Sequence, residues 1–282
     1  MRQLSDISDA RDRASTLLEL TSAFEGIASM RIAQIKDQVL RSSQFFDELW
    51  RIYSQLNRGS FNFGRHYQKA ANDKRLLIFI TSQGGFGSDI DRRLINEALR
   101  GYNSKKDEII VVGLHGLAQL RQAGIRPALS FKLPASDRNF NVRPLVSAVQ
   151  KYSSTVVYYP SYVSLQQQVV KTIVLGEAIN QRGQQVTAGE DVISESTYIF
   201  EPSAKSVVEH LETAMTGIAL SEVVLESKLA QYASRYRSNS LASEKARDSL
   251  ADLNWQFNRA RRQTKDERLK EILNGLRTKE QL

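Results

Sequence analysis

Apolar positions divide the chain into three stretches of different period. The N-terminal stretch carries a heptad. Ile7, Ala14, Thr21, Ala28 and Ile35 recur every seven residues, and Ala10, Leu17 and Phe24 fill the second seam position until Arg31 breaks it. Val39, Phe46, Leu49, Tyr53 and Leu56 keep the alternating three-and-four spacing. A stripe of period 3.5 buries itself against one partner helix rather than in a broad core. The C-terminal stretch repeats the pattern with Leu211, Met215, Ile218 and Leu225, then Leu229, Ala233 and Tyr236, then Ala246, Leu250, Leu253, Phe257 and Ala260. Fully helical, the first arm reaches roughly 75–80 Å and residues 205–274 on the order of 100 Å. An ordinary helical bundle would need more apolar surface off the seam than either arm offers. The pattern predicts that residues 4–57 pair antiparallel with residues 207–274, with Ala28 near Ala260.

The helix breakers agree. All five prolines fall between Pro127 and Pro202, and twelve of the fifteen glycines between Gly59 and Gly189. Residues 2–58 hold only Gly26, and residues 203–274 only Gly217. Two breaker-poor arms therefore flank a breaker-rich middle. The middle reads as α/β. Leu76–Thr81 and Ile109–Leu114 are near-continuous apolar runs, the signature of strands buried on both faces. Asp89–Leu99, Gly116–Gln122 and Pro144–Tyr152 read as short helices, and Val156–Tyr159 and Thr197–Phe200 as further strands. Strand–helix alternation implies a small, mostly parallel sheet. The polar segment Gly176–Glu195 reads as a loop or irregular hairpin. The fold class predicted is α/β: two long antiparallel terminal helices forming a coiled coil, with a central Rossmann-like domain. The divisions are 1–58, 74–203 and 205–282.

Composition removes several chemistries. The chain of 282 residues has no cysteine and three histidines, His66, His115 and His210, so disulfides, thiolate metal sites and a Cys nucleophile are absent. No run of 18 apolar residues is present to span a membrane, and the first ten residues lack the apolar stretch of a signal peptide. Ser82–Asp89 follows a strand and opens a helix, where a phosphate loop would sit. The third glycine of the dinucleotide fingerprint and the Gly-Lys-Ser/Thr of a Walker loop are both missing. A tight turn with Asp89 as helix N-cap is the better reading. No nucleophile elbow, His-Glu-x-x-His pair or spaced acidic triplet occurs, so neither catalysis nor a metal or cofactor is expected. The net charge of +8 suits an acidic partner. Arg235-Tyr236-Arg237 and the run from Arg259 to Lys270 are basic, but Asp266, Glu267 and Glu271 break the run into the mixed signs of a solvated face. Nucleic acid is therefore not the expected partner.

The C-terminal arm carries a specific resemblance. Leu250-Ala251-Asp252-Leu253-Asn254-Trp255-Gln256-Phe257-Asn258-Arg259-Ala260-Arg261 resembles the Leu-x-x-Leu-x-x-x-Tyr-Asn-Lys-Ala-Arg signature of ATP synthase gamma subunits. Leu269, Glu271, Ile272 and Gly275 continue it in register. Phe200-Glu201-Pro202 resembles that family's Tyr-Glu-Pro, Thr81–Ser88 is a degenerate form of its Thr-Ser-Asp-Arg-Gly-Leu-Cys-Gly, and Thr21–Ser29 is similar to its Thr-Lys-Ala-Met stretch. The order of the motifs along nearly the whole chain makes the resemblance. Phe24 and Gly26 replace methionines, Arg262 replaces a glutamine, and a polar tail from Leu276 to Leu282 replaces an apolar one, which marks a divergent member.

The resemblance implies a non-catalytic rotor shaft of a rotary ATP synthase. It would couple proton or sodium flow through the membrane-embedded c-ring to ATP synthesis or hydrolysis in the ring of alpha and beta subunits. Epsilon would be its companion in the stalk. It also implies a peripheral membrane protein, and Met1 favours the cytoplasmic face of a bacterial inner membrane. The partner-contacting set it points to is Phe24, Arg31, Phe257, Arg261, Arg262 and Lys265. The cations of that set would face an acidic loop in the bore of the ring. The competing readings are a coiled-coil adaptor with an α/β head that binds nucleic acid or protein, and a small nucleotide-dependent enzyme.

Overall fold

The computed structural model describes residues 4–56, 72–84, 89–133, 141–185 and 199–280. Its elements run α1 (Leu4–Leu56), β1 (Asn72–Ile80), α2 (Ile90–Arg100), β2 (Asp107–Val112), α3 (Leu114–Gln122), β3 (Leu129–Phe131), α4 (Arg143–Val149), β4 (Tyr152–Tyr162), β5 (Gln168–Val174), α5 (Leu175–Gln185) and α6 (Ala204–Glu280). The chain divides into two compact units. One comprises Met1–Ala28 with Tyr236–Leu282, and the other Ser29–Arg235.

The larger unit holds a five-stranded sheet in the order β3-β2-β1-β4-β5. β1 lies parallel to both β2 and β4, β2 parallel to β3, and β5 returns antiparallel to β4 as a hairpin. The parallel part is the Rossmann order, with connections that cross over through helices. Residue alternation sorts β1 between two cores. Leu77 and Phe79 face α2 and α3 through Leu94, Ile95, Ala98 and Leu120. Leu76, Ile78 and Ile80 face the other way, where Phe46, Trp50 and Tyr53 of α1, Leu145 and Val149 of α4, Ile179 of α5 and Met215, Leu220 and Val224 of α6 converge. Both faces are covered, which explains why β1 and β2 read as unbroken apolar runs.

Two glycines are required by contact. Gly113 closes β2 with φ +103°, and a Cβ there would lie 2.3 Å from the Thr81 carbonyl oxygen. Gly183 lets α5 lie flush on the Trp50 indole, since a Cβ would fall 1.8 Å from that ring.

In the smaller unit, α1 and α6 run antiparallel. Ser22 Oγ meets Ser243 Oγ at 3.1 Å, and the Arg11 guanidinium lies 4.6 Å from the Phe257 ring centre. Ile7, Ala14, Thr21 and Ala28 are buried, and Ala246 answers from α6. The expected second seam is not. Leu17 and Phe24 are 52% and 51% exposed, so one heptad position packs and the other faces outward. The register also differs. Ala28 lies roughly a turn and a half past Ser22, so its counterpart on α6 precedes Ser243 and is far from Ala260.

Other expectations need correction. Residues 175–185 form α5 rather than a loop, while 186–198 lie outside the described residues. Only Leu175, Ile179 and Gly183 of α5 are buried, a stripe too thin to stand out in a polar segment. Ile199 and Phe200 belong to no strand, and 197–198 lie outside the described residues. Tyr152 opens β4 instead of ending α4. β3 and β5 are edge strands that the apolar pattern did not mark. Asp89 occupies the N-cap position of α2 without a side-chain capping bond. Its carboxylate instead pairs with Arg92 at 2.8 Å. The glycine-rich turn at 85–88 lies outside the described residues.

Gly183→Ala is expected to destabilise the chain by about 1–3 kcal/mol, because the indole of Trp50 must move. Gly176→Ala, in the same helix with open space around it, is expected to be neutral or stabilising by up to about 1 kcal/mol. Thermal and urea denaturation of the two variants checks the contrast.

Candidate partner interface and coupling site

In the larger unit, α6 is gripped through carboxylates on its inner side. Glu222 pairs with Arg182 Nη1. Arg182 extends from α5, and its Nη2 donates to Ser43 O at 3.1 Å, Ser43 Oγ at 2.9 Å and Asp47 Oδ1 at 3.3 Å, all on α1. The same guanidinium lies 4.0 Å from the Phe46 ring centre. One planar cation thus joins α1, α5 and α6, a geometry that suits the fixed fork of arginine. Ten residues before Glu222, buried Glu212 accepts from Tyr53 Oη of α1 at 3.2 Å. Four residues after it, Glu226 accepts from Ser161 Oγ of β4 at 2.5 Å. Burial, followed by the nearby Glu212, pushes the Tyr53 phenol up. Burial and then Glu226 do the same to Tyr159. Both phenols therefore stay protonated and donating. Burial also raises the Glu222 carboxyl, outweighing the attraction of Arg182.

In the smaller unit, the residues expected to meet a partner fall into different places. Phe24 belongs to an outward stripe on α1 with Leu17, Leu20 and Ile27, all exposed. Arg261, Arg262 and Lys265 are exposed on adjacent turns near the end of α6. Beside them Trp255 is 61% exposed, with Arg259 5.5 Å from its ring centre. Phe257 is half-buried beneath Arg11, within the helix pair itself. Arg31 belongs to the larger unit, where it is half-buried and Nη1 donates to Gln34 at 3.4 Å. Within the smaller unit, Arg261, Arg262 and Lys265 stand together on adjacent turns of α6.

Sequence reasoning missed the coupling contacts and one polar cluster. At the end of β1, Asp91 Oδ2 accepts from Ser82 N at 3.1 Å and Ser82 Oγ at 2.5 Å, and meets His115 Nδ1 at 2.7 Å. Serine, histidine and aspartate are together, but in the wrong order for nucleophile activation. The serine donates straight to the carboxylate, and His115 Nε2 faces Gln119 at 3.3 Å. The cluster ties the loop after β1 to α2 and α3. Among the described residues, no group of three or more His, Asp or Glu could hold a metal ion, and no helix is long and apolar enough to cross a membrane.

The ATP synthase family model matches residues 3–278. The chain belongs to the ATP synthase gamma-subunit family, the rotor shaft of the central stalk. It is similar to the ATP synthase gamma chain of Cytophaga hutchinsonii, 22% identical over 98% of each chain, and to that of Chlorobaculum tepidum, 25% identical over 98% of each. In fold it resembles a chain of the Euglena gracilis mitochondrial ATP synthase, OSCP/F1/c-ring, rotational state 3. The TM-score there is 0.60 at 16% identity, covering 97% of this chain and 94% of that one. The rotor of the same enzyme in rotational state 1 gives 0.57 at 16% identity, covering 92% and 99%. None of these relatives supports the adaptor that binds nucleic acid.

The gamma-subunit grip makes a pH-dependent prediction. A carboxyl raised in the folded state binds protons on folding, so its contribution is complete below the ordinary glutamate range and is lost as pH climbs through the raised value. Relative to Glu222→Gln, the native chain should gain stability as pH falls toward the ordinary range, and the gain should level off below it. Arg182→Ala, which leaves Glu222 and Asp47 without their cation, should cost about 3 kcal/mol at neutral pH. Urea titrations across pH measure both.

Proposed function

We propose that this chain turns as a stiff, non-catalytic shaft inside a ring of alpha and beta subunits, with its α/β unit toward the membrane-embedded c-ring and an epsilon subunit. In this reading it is a peripheral protein on the cytoplasmic face of a bacterial inner membrane, driven by proton or sodium flow. The membership of the gamma-subunit family supports the complex. The observation that carries the mechanism is the grip on α6. Torque delivered to the sheet unit has to reach the long helices without slip. The contacts at Glu212, Glu222 and Glu226 oppose both rotation and sliding of α6 against the sheet.

A shaft also needs an uneven section, so that three equivalent catalytic sites meet different faces at any angle. That difference is a coupling free energy between shaft angle and site state. The smaller unit offers such unevenness. α1 carries the apolar stripe Leu17, Leu20, Phe24 and Ile27, and the end of α6 carries the cations Arg261, Arg262 and Lys265. In the proposed ring, Arg261 holds an angular position by charge-assisted hydrogen bonds to a carboxylate or paired carbonyls. Arg31 and Lys265 add steering, and Phe24 slides in an apolar sleeve. Phe257 acts indirectly, by seating Arg11 against α6.

Arg261→Ala in a reconstituted complex should lower ATP turnover several-fold at low salt, with assembly intact, and the deficit should shrink as salt screens the contact. Arg262→Gln should be tolerated. Turnover of Arg261→Ala equal to the native value at low salt would reduce that arginine to a solvated surface charge.

A further inference from the structure

We propose that the outer edge of β3, with the groove beside it, is a docking site for an acidic, extended segment of a partner protein. The surface belongs to the α/β unit, and the proposed contacts of the shaft with its ring do not use it.

β3 is the terminal strand of the sheet and, among the described residues, pairs only with β2. Phe131 O accepts from Gly113 N at 2.8 Å, so strand alternation turns Leu129 and Phe131 toward β2 and the N–H and C=O of Ser130 away from it. The Leu129 side chain is 49% exposed. Beside the strand lies a groove of about 850 Å³, lined by Leu117, Arg121, Ile125, Arg126, Pro127 and Leu129 among others. It combines the apolar side chains of Leu117, Ile125, Pro127 and Leu129 with the polar side chains of Arg121, Arg126 and Ser130.

Charge selects the occupant. From Gly113 to Leu133 the chain carries Arg121, Arg126 and Lys132 and not one acidic residue. All three cations are exposed, and neither arginine forms an ion pair among the described residues. Other cations of the unit do pair, as Arg75 with Asp107 and Lys74 with Glu108. A segment that lays an apolar side chain between Leu117, Ile125 and Leu129, and sets carboxylates on Arg121 and Arg126, satisfies every free group at once. Such pairing by strand addition draws affinity from backbone bonds and specificity from alternate side chains. Pro127 and Lys132 bracket the strand and discourage pairing with an edge that is not acidic, including a second copy of this one.

The test uses the chain assembled in its purified complex, with the photoreactive residue p-benzoylphenylalanine replacing Leu129. The same residue at Leu165, exposed between β4 and β5, sets the background. After irradiation, peptide mapping should give an adduct on a segment of another subunit that carries acidic residues beside the linked position. Arg121→Glu with Arg126→Glu should lower the adduct yield roughly tenfold or more, as should raising the salt. If the double reversal fails to assemble, Arg121→Gln and Arg126→Gln carry the same comparison. The proposal is overturned by yield no higher than at Leu165, by an adduct between two copies of this chain, by an adduct on a segment without acids, or by yield indifferent to the charge changes.

Discussion

Everything in the larger unit depends on burying carboxylates along one side of a long helix. A carboxylate taken out of water costs several kcal/mol unless a donor meets it. Glu212, Glu222 and Glu226 each find one, from α1, from α5 and from β4 in turn. Apolar contacts tolerate sliding and small rotations, because dispersion is weakly directional. Hydrogen bonds to buried and half-buried carboxyl groups do not, since about half an ångström of displacement takes them out of range. The helix is therefore fixed in register and in angle. Its docked side is defined by where donors stand on three different elements, not by where apolar area happens to be.

The rest of the unit supports those donors. Arg182 can reach Glu222 and Ser43 together only because α5 lies against α1, and that approach needs the missing side chain at Gly183. Phe46 and Trp50 stack at 6.2 Å between ring centres beneath it, which holds the guanidinium flat. Tyr53 follows on the same face of α1. The two-core sheet supplies the rigid backing, with β1 buried on both sides. In the smaller unit the helices meet through small residues, Ala14, Thr21, Ala28, Ser243 and Ala246. Small residues allow close approach and leave the outward faces free for the apolar stripe and the cation cluster.

The long helices and the parallel strands were legible because both write strong periods. Ile7, Ala14, Thr21 and Ala28 declared a seam, and Leu76–Ile80 declared a strand buried on two faces. The edge strands were not, since β3 is three residues long and no residue of β5 is fully buried. The second seam failed for a different reason. Leu17 and Phe24 obey the heptad, but periodicity cannot say whether a stripe meets its own chain or something else. The coupling contacts were hidden because glutamates on a long helix read as solvated. Only their neighbours betray them: Glu212 follows Leu211 and precedes Met215, and Glu222 and Glu226 stand four apart among seam residues. Arg182 gave no signal at all, lying in a segment whose polarity resembled a loop.

The central claim is that α6 is part of the core of the α/β unit and is not merely laid upon it. Native-state hydrogen exchange on the full chain tests this directly. If the claim holds, the amides of residues 212–226 exchange through the same opening as those of β1, with protection equal to within a few-fold, because neither can open without the other. Exchange in 212–226 that is faster than in β1 by about a hundredfold, near 2.7 kcal/mol of separate opening, would show a helix that leaves while the sheet stays folded, and would contradict the account.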